Sequence, residues 1–238
     1  MAASRRLLYV LLILAFLFSL LSAKSQSQDS QEEEEEDTPV TRYQRYLRFN
    51  TAHPDPNYTA PISFLIDQAQ SLALNVRSLE FVPGKPVLLL TWRGSDPSLP
   101  SILFNSHLDS VPAEPAKWLH PPFSAFRTPT GEIFARGAQD DKCIGMQYLE
   151  AIRSLKSRAF APLRTVHVSY VPDEEIGGFH GMEKFADSQE FRELNVGFVM
   201  DERQASPGDE FRVFYADRTP WGLVLKATGT PGHGSRDV

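Results

Sequence analysis

The chain has a single cysteine, Cys143, among its 238 residues. No disulfide can form within it and no thiolate zinc finger can be built, so any metal must be held by imidazole and carboxylate. Several catalytic signatures are missing. There is no Gly-x-Ser-x-Gly elbow, no phosphate-binding loop, no Gly-x-Gly-x-x-Gly and no His-Glu-x-x-His. Positive charge is scarce: 24 Lys and Arg stand against 30 Asp and Glu, for a net charge of −6. That balance argues against a nucleic-acid binder. Internal repeats are not evident, and there is one long apolar run, Leu7 to Ala23.

What is present reads as a folded protein. The 42% hydrophobic and 23% charged residues exclude wholesale disorder, and the length allows one large domain or two small ones. Arg5 and Arg6 precede the apolar run, and the small residues Ala23 and Ser25 follow its core, the layout of a secretory signal peptide over 1–25. An uncleaved membrane anchor is the alternative. Residues 26–39 form an acidic, disordered linker: Asp29, Glu32 to Glu36 and Asp37 crowd a stretch without apolar periodicity. A solvated spacer explains it better than a docking segment. Without these two stretches the remainder is nearly neutral. Asn57-Tyr58-Thr59 is a glycosylation sequon that a secretory route would make usable.

From residue 40 onward strands and helices alternate. Val87–Trp92 and Ser101–Phe104 are short apolar runs suited to buried strands. Thr165–Val171 is β-branched and ends at Pro172, and Val196–Met200 suits a further strand. Between Asp141 and Arg158, Ile144, Tyr148, Leu149, Ile152 and Leu155 mark a helical stripe, with Asp140 and Asp141 where a helix N-terminus favours acids. The expected fold class is α/β, a largely parallel sheet flanked by helices.

Three strands run into chemistry-bearing segments: His107-Leu108-Asp109, Asp173-Glu174-Glu175 and Asp201-Glu202. A fourth segment, Gln139-Asp140-Asp141, opens the helix. Sites in open α/β sheets form at the carboxyl ends of strands, so the four are expected to converge. In an extended segment His107 and Asp109 point to one side, which lets Asp109 fix the tautomer with which His107 binds metal. Glu174 and Glu175 can divide the work of ligand and general base. Each segment alone is better explained as a solvated loop or a helix cap. Their recurrence at successive strand ends is what points to a site. Cys143 falls in the helical stripe as a small buried thiol. His53, His120, His167 and His180 have no carboxylate at ligand spacing and are expected to be structural or exposed.

These residues resemble the aminoacylase and carboxypeptidase family of zinc amidohydrolases. Asn105 to Pro112 is similar to its first metal motif. Trp118 to Phe123, Arg136 to Asp140, Pro172 to Gly178 and Met200 to Glu202 follow in the family's order, and Pro231 to Arg236 resembles its lid motif. Lys142-Cys143 and Gln147 to Ala151 are similar to the aminoacylase-1-type branch, which acts on N-acyl-L-amino acids. The resemblance implies a zinc-exopeptidase-like catalytic domain over 40–217 and the start of an α+β lid or dimerisation domain over 218–238. It implies two zinc ions, with His107 and Glu202 on the first, Glu175 on the second and Asp140 bridging. Glu174 would be the general base, Asp109 the support of His107, and His233 a group reaching across a homodimer to the reacting carbonyl. Asp141 and Arg203 depart from the branch, which has Met and Gly there. The chain stops at Val238, ahead of the family's returning half and its last histidine ligand, which implies an incomplete second zinc site. A dipeptidase or carboxypeptidase of the same family, and a non-catalytic isoform that binds a partner, are the alternative functions. The leader implies the secretory pathway; the family's common location, the cytoplasm, is the alternative.

Overall fold

The computed structural model describes residues 36–202, 206–210, 212–216, 222–226, 228–229 and 232. The expected signal peptide, the expected linker up to residue 35, Arg203 and His233 lie outside the described residues. The chain divides into two units, 1–202 and 203–238. The described residues of the second unit form no helix or strand.

The first unit opens with helix α1 (Pro39–Leu47). Thr38 caps it: its hydroxyl accepts the Thr41 N–H at 3.1 Å, and Pro39 occupies the first turn, where no N–H is needed. The helix therefore begins on the last residue of the expected linker. Helix α2 (Thr59–Ser71) leads into the hairpin β1 (Asn75–Val82) and β2 (Lys85–Trp92), which turns at Gly84 with φ +75°. Strand β3 (Ser101–His107), the short hairpin β4 (Phe126–Arg127) and β5 (Ile133–Phe134), helix α3 (Lys142–Ser157) and strand β6 (Val166–Val171) follow. Two short helices, α4 (Met182–Ala186) and α5 (Gln189–Arg192), precede strand β7 (Val196–Met200). Among the described residues no helix is long and apolar enough to cross a membrane.

The main sheet has the order β1-β2-β6-β3-β7. The α/β class stands, and the sheet is mixed. Strands β6, β3 and β7 are parallel, while the hairpin adds two antiparallel pairings, β1–β2 and β2–β6. The leucine run of β2 has no alternation because both faces are covered. Leu88 and Leu90 pack with Tyr46, Leu65, Met146 and Leu149 from the helices on one side. Val87 and Leu89 pack with Leu103, Phe185 and Leu194 on the other. Each fully buried leucine is worth about 1.5–3 kcal/mol relative to exposure.

Helix α3 lies close against the sheet, and Gly145 permits it. A Cβ there would stand 2.6 Å from Tyr170 Cε1 and 2.7 Å from Ser106 Oγ. The Tyr170 hydroxyl donates to the Gly145 carbonyl at 2.7 Å. Gly145→Ala is expected to cost about 1–2 kcal/mol in urea unfolding, because overpacking outweighs alanine's better helix propensity. An unchanged midpoint would show that α3 has room to shift.

His167 is buried on β6, with its Nδ1 2.9 Å from the Thr91 hydroxyl. Burial lowers its pKa from 6.5 to about 4, so the folded protein favours the neutral ring. The resulting stability is complete above about pH 6.5 and is lost as pH falls through 4, up to about 3 kcal/mol. His167→Gln should flatten the fall of the unfolding midpoint between pH 7 and 4. A variant that tracks the parent across that window would assign acid lability elsewhere.

Candidate functional site

His107 is the last residue of β3, and Leu108 to Ser110 continue past the sheet, where Asp109 is fully buried. The His107 Nδ1 lies 3.0 Å from the Asp109 backbone carbonyl and 3.3 Å from its Oδ1. Both are acceptors, so Nδ1 carries a proton and Nε2 is the nitrogen that faces outward. Asp109 stands where it can accept the Nδ1 proton, and its main chain is the nearer partner. The pKa of Asp109 is lowered. Burial opposes the charge, but His107, His53 and the Glu175 N–H outweigh it.

The other expected groups arrive from neighbouring elements. Asp140 lies just ahead of α3, and its Oδ1 is 2.9 Å from His107 Nε2. Glu202 follows β7, and its Oε1 is 3.3 Å from the same nitrogen. A short network aims the end of β7. Ser169 donates to Asn105 Oδ1 at 2.6 Å, and Asn105 Nδ2 donates to Asp201 Oδ1 at 3.1 Å. The Glu202 N–H then donates to that Asp201 oxygen at 2.9 Å.

Beyond β6 the chain turns through Asp173, at φ 58°, into a 3-10 turn over Glu174–Ile176. The turn is anchored on Asp109, whose Oδ1 accepts the Glu174 N–H and whose Oδ2 accepts the Glu175 N–H, both at 3.1 Å. Glu174 Oε2 stands 4.0 Å from His107 Nε2. Burial first, then the neighbouring carboxylates, raise its pKa. Glu175 is raised by burial and by Asp140. Glu175 stands outside the tight group, with its Oε1 accepting the Val111 N–H at 3.2 Å.

The donor atoms of His107, Asp140 and Glu202 all lie within 4.8 Å of one another. An imidazole nitrogen facing two carboxylate oxygens needs a positive charge there, a proton on Nε2 or a metal ion. Burial opposes the protonated ring, but the bonds to Asp109, Asp140 and Glu202 outweigh it and raise the His107 pKa. Tetrahedral zinc at about 2.0 Å from each ligand sets donors about 3.3 Å apart, close to the 2.9 and 3.3 Å seen here. The donor set fits a metal ion. A cavity of about 400 Å³ adjoins Asp140, lined by Trp118, Phe134 and Arg136 among others. The Arg136 guanidinium lies 5.1 Å over the Trp118 ring.

The remaining readings divide. Asp141 begins α3 without capping it: its Oδ2 accepts the His107 N–H at 3.1 Å. Burial, then Glu202, pushes its pKa up to about 8. Cys143 is half-buried, where a buried thiol was expected, with Sγ 3.0 Å from the Gln139 carbonyl. His120 stacks on Phe126, and His167 is structural. His180 is half-exposed, with its Nδ1 3.2 Å from Asp173 Oδ2. His53 corrects the sequence reading: it is buried and its Nε2 lies 2.7 Å from Asp109 Oδ2. Spacing along the chain carries no signal for a contact between residues so far apart.

Comparison with known proteins agrees with the geometry. The model of peptidase family M20/M25/M40 matches residues 103–214. Aminoacylase-1 of Sus scrofa is 50% identical over 192 residues, covering 81% of this chain and 47% of that protein. The chain thus spans about half the length of the curated relatives it matches. The structure of human carnosine dipeptidase 1 superposes with a TM-score of 0.60 at 20% identity, over 70% of this chain and 38% of that one. An M20 family metallo-carboxypeptidase from Sulfolobus solfataricus gives 0.60 at 24%, over 70% and 37%. At those identities the two structures speak for the fold alone.

Proposed function

The chain carries a domain of peptidase family M20/M25/M40 and is a homologue of aminoacylase-1 over 81% of its length; on that premise we propose that it provides the metal-holding face of a zinc-dependent hydrolase that splits N-acyl-L-amino acids into a carboxylate and a free L-amino acid. The observation that carries this reading is the convergence of His107 Nε2, Asp140 Oδ1 and Glu202 Oε1.

His107, Asp140, Glu175 and Glu202 would hold a pair of zinc ions. When bound, such a pair lowers the pKa of a water and polarises the amide carbonyl. The protein's own groups do the rest. Glu174, raised in pKa by burial, is a better base than a free glutamate. It takes a proton from the attacking water onto a carboxylate oxygen and delivers it to the nitrogen of the leaving amine. Asp109 touches no reacting atom. It is a positioning residue, holding the His107 ring and the turn that presents Glu174. His233 belongs to this reading as the group that steadies the reacting carbonyl across a homodimer.

Zinc per chain, by elemental analysis, together with release of amino acid from N-acetyl-L-methionine, tests the proposal. Bound zinc and a release that stops with chelator are expected. A chain that retains no zinc, or one indifferent to chelator, ends it. Faster turnover of dipeptides would move the substrate class to peptides.

We also propose a secretory location. Asn57 is exposed, with its Oδ1 accepting the Thr59 N–H at 2.9 Å, so a glycan there meets no packing. Expression in a secretory host is expected to give one glycosidase-sensitive mass shift that Asn57→Gln abolishes. An unglycosylated product retained in the cytosol would overturn it.

A further inference from the structure

His53 has no role in the chemistry above, and the fold supplies one. It lies in the loop between α1 and α2, 56 residues from Asp109 along the chain. The loop is laced to the segment after β3. The His53 N–H donates to the Ser110 carbonyl at 3.0 Å, and the Ser110 N–H donates to the Thr51 carbonyl at 3.1 Å. This pairing brings the imidazole, 8% exposed, against a carboxylate that is 0% exposed.

Asp109 serves two masters, and its orientation matters to both. Its Oδ1 takes the Glu174 N–H and lies 3.3 Å from His107 Nδ1; its Oδ2 takes the Glu175 N–H. A buried ionised carboxylate needs its lone pairs filled. His53 Nε2, 2.7 Å from Oδ2, fills one of them from a different segment of the chain than the main-chain donors. Both Asp109 oxygens already accept main-chain N–H donors, so the carboxylate is the acceptor of this contact and its proton sits on His53 Nε2. With that donor in place the carboxylate plane cannot swing without breaking three bonds at once. Without it, Oδ2 keeps only the Glu175 N–H, and both the His107 ring and the Glu174–Ile176 turn lose part of their anchor.

We infer that His53 is a positioning residue of the metal site: as an Nε2–H donor it pins the Asp109 carboxylate, which in turn orients His107 and the turn bearing Glu174 and Glu175. The inference rests on the reading of His107 as a metal ligand. Outer partners of metal-binding histidines typically carry about 10- to 100-fold in affinity, and His53 acts one contact further out, through Asp109.

The full chain, stripped of metal and titrated with zinc against a chromogenic chelator, tests it with two substitutions. His53→Leu removes the donor, and His53→Gln keeps an N–H able to reach the same oxygen. The expected result is a loss of zinc affinity of about tenfold for His53→Leu, with His53→Gln within about threefold of the parent. The metal-free unfolding midpoints of the two variants should be alike. Unchanged affinity in His53→Leu overturns the inference while leaving the metal reading intact. Equal losses in both variants overturn it too, since they would mark a packing role. A parent chain that binds no zinc overturns both readings together. If His53→Leu does not fold, nitrogen-15 NMR of the unsubstituted chain decides: a His53 ring protonated at Nε2 supports the inference, and a bare Nε2 refutes it.

Discussion

Glu174→Gln is expected to lower the turnover of N-acetyl-L-methionine by about 10²- to 10⁴-fold while leaving zinc affinity within about threefold. Glutamine keeps the size of the side chain and the main-chain N–H that binds Asp109 Oδ1 at 3.1 Å. What it removes is the oxygen able to accept a proton. Zinc affinity should hold because Glu174 stands 4.0 Å from His107 Nε2, outside the group formed by His107, Asp140 and Glu202. Glu202→Gln is the contrasting variant, since it weakens a donor within that group and should lower affinity first. Parallel measurement of zinc affinity and single-turnover rate separates the two. A Glu174→Gln protein with the parent's rate would remove Glu174 as the base, and one that loses zinc would make it a ligand instead.

The second large effect concerns the clamp that keeps α1 on α3. Arg42 is 4% exposed, and its Nε and Nη2 reach the two oxygens of Glu150 at 2.7 and 2.8 Å. Its Nη1 donates to the Asp37 carbonyl at 2.9 Å. The bond to Glu150, partly offset by burial, raises the Arg42 pKa. Arg42→Ala leaves Glu150 with only Arg153, whose Nε is 3.5 Å away. The expected cost is about 3 kcal/mol, the lower end for a broken buried pair because Glu150 is partly exposed. That corresponds to a fall of about 6–12 °C in the unfolding midpoint. The double variant Arg42→Met, Glu150→Leu should recover most of the loss, because both members of the buried pair are gone, while Asp37 keeps Arg45 at 3.8 Å and Arg153 keeps Gln68 at 2.9 Å. A loss under about 1 kcal/mol in Arg42→Ala would make this an ordinary surface pair. The clamp matters to the site because Asp140 stands at the head of α3. Lys142 in its first turn donates from Nζ to the carbonyls of Tyr46 and Phe49, at 3.4 and 2.5 Å.

Strands β2, β3, β6 and β7 and helix α3 were legible because a buried strand and an amphipathic helix write their periods into the residues themselves. The same holds for the segments that carry chemistry, since acids and a histidine at strand ends stand out against apolar runs. Helices α1 and α2 and strand β1 were not resolved by that reading, because their apolar stripes are interrupted by polar residues that the fold turns to useful contacts, as Arg42 does with Glu150. The mixed character of the sheet was likewise hidden. Strand direction depends on connections, and the β1–β2 turn at Gly84 pairs the apolar run of β2 with an antiparallel neighbour that local pattern does not show.

By itself the sequence determined the kinds of donor available, the order in which they occur and the exclusion of internal disulfides and a thiolate zinc finger, since composition and spacing are properties of the covalent chain. Only the tertiary structure decided which of them meet. It brought Asp140 and Glu202 onto one nitrogen of His107, left Glu175 on the Val111 N–H, and joined His53 to Asp109 across 56 residues. The reason is physical: ligand geometry is set by distances in space of about 3 Å, and such distances between residues far apart in the chain exist only once the sheet has paired β6, β3 and β7 in register.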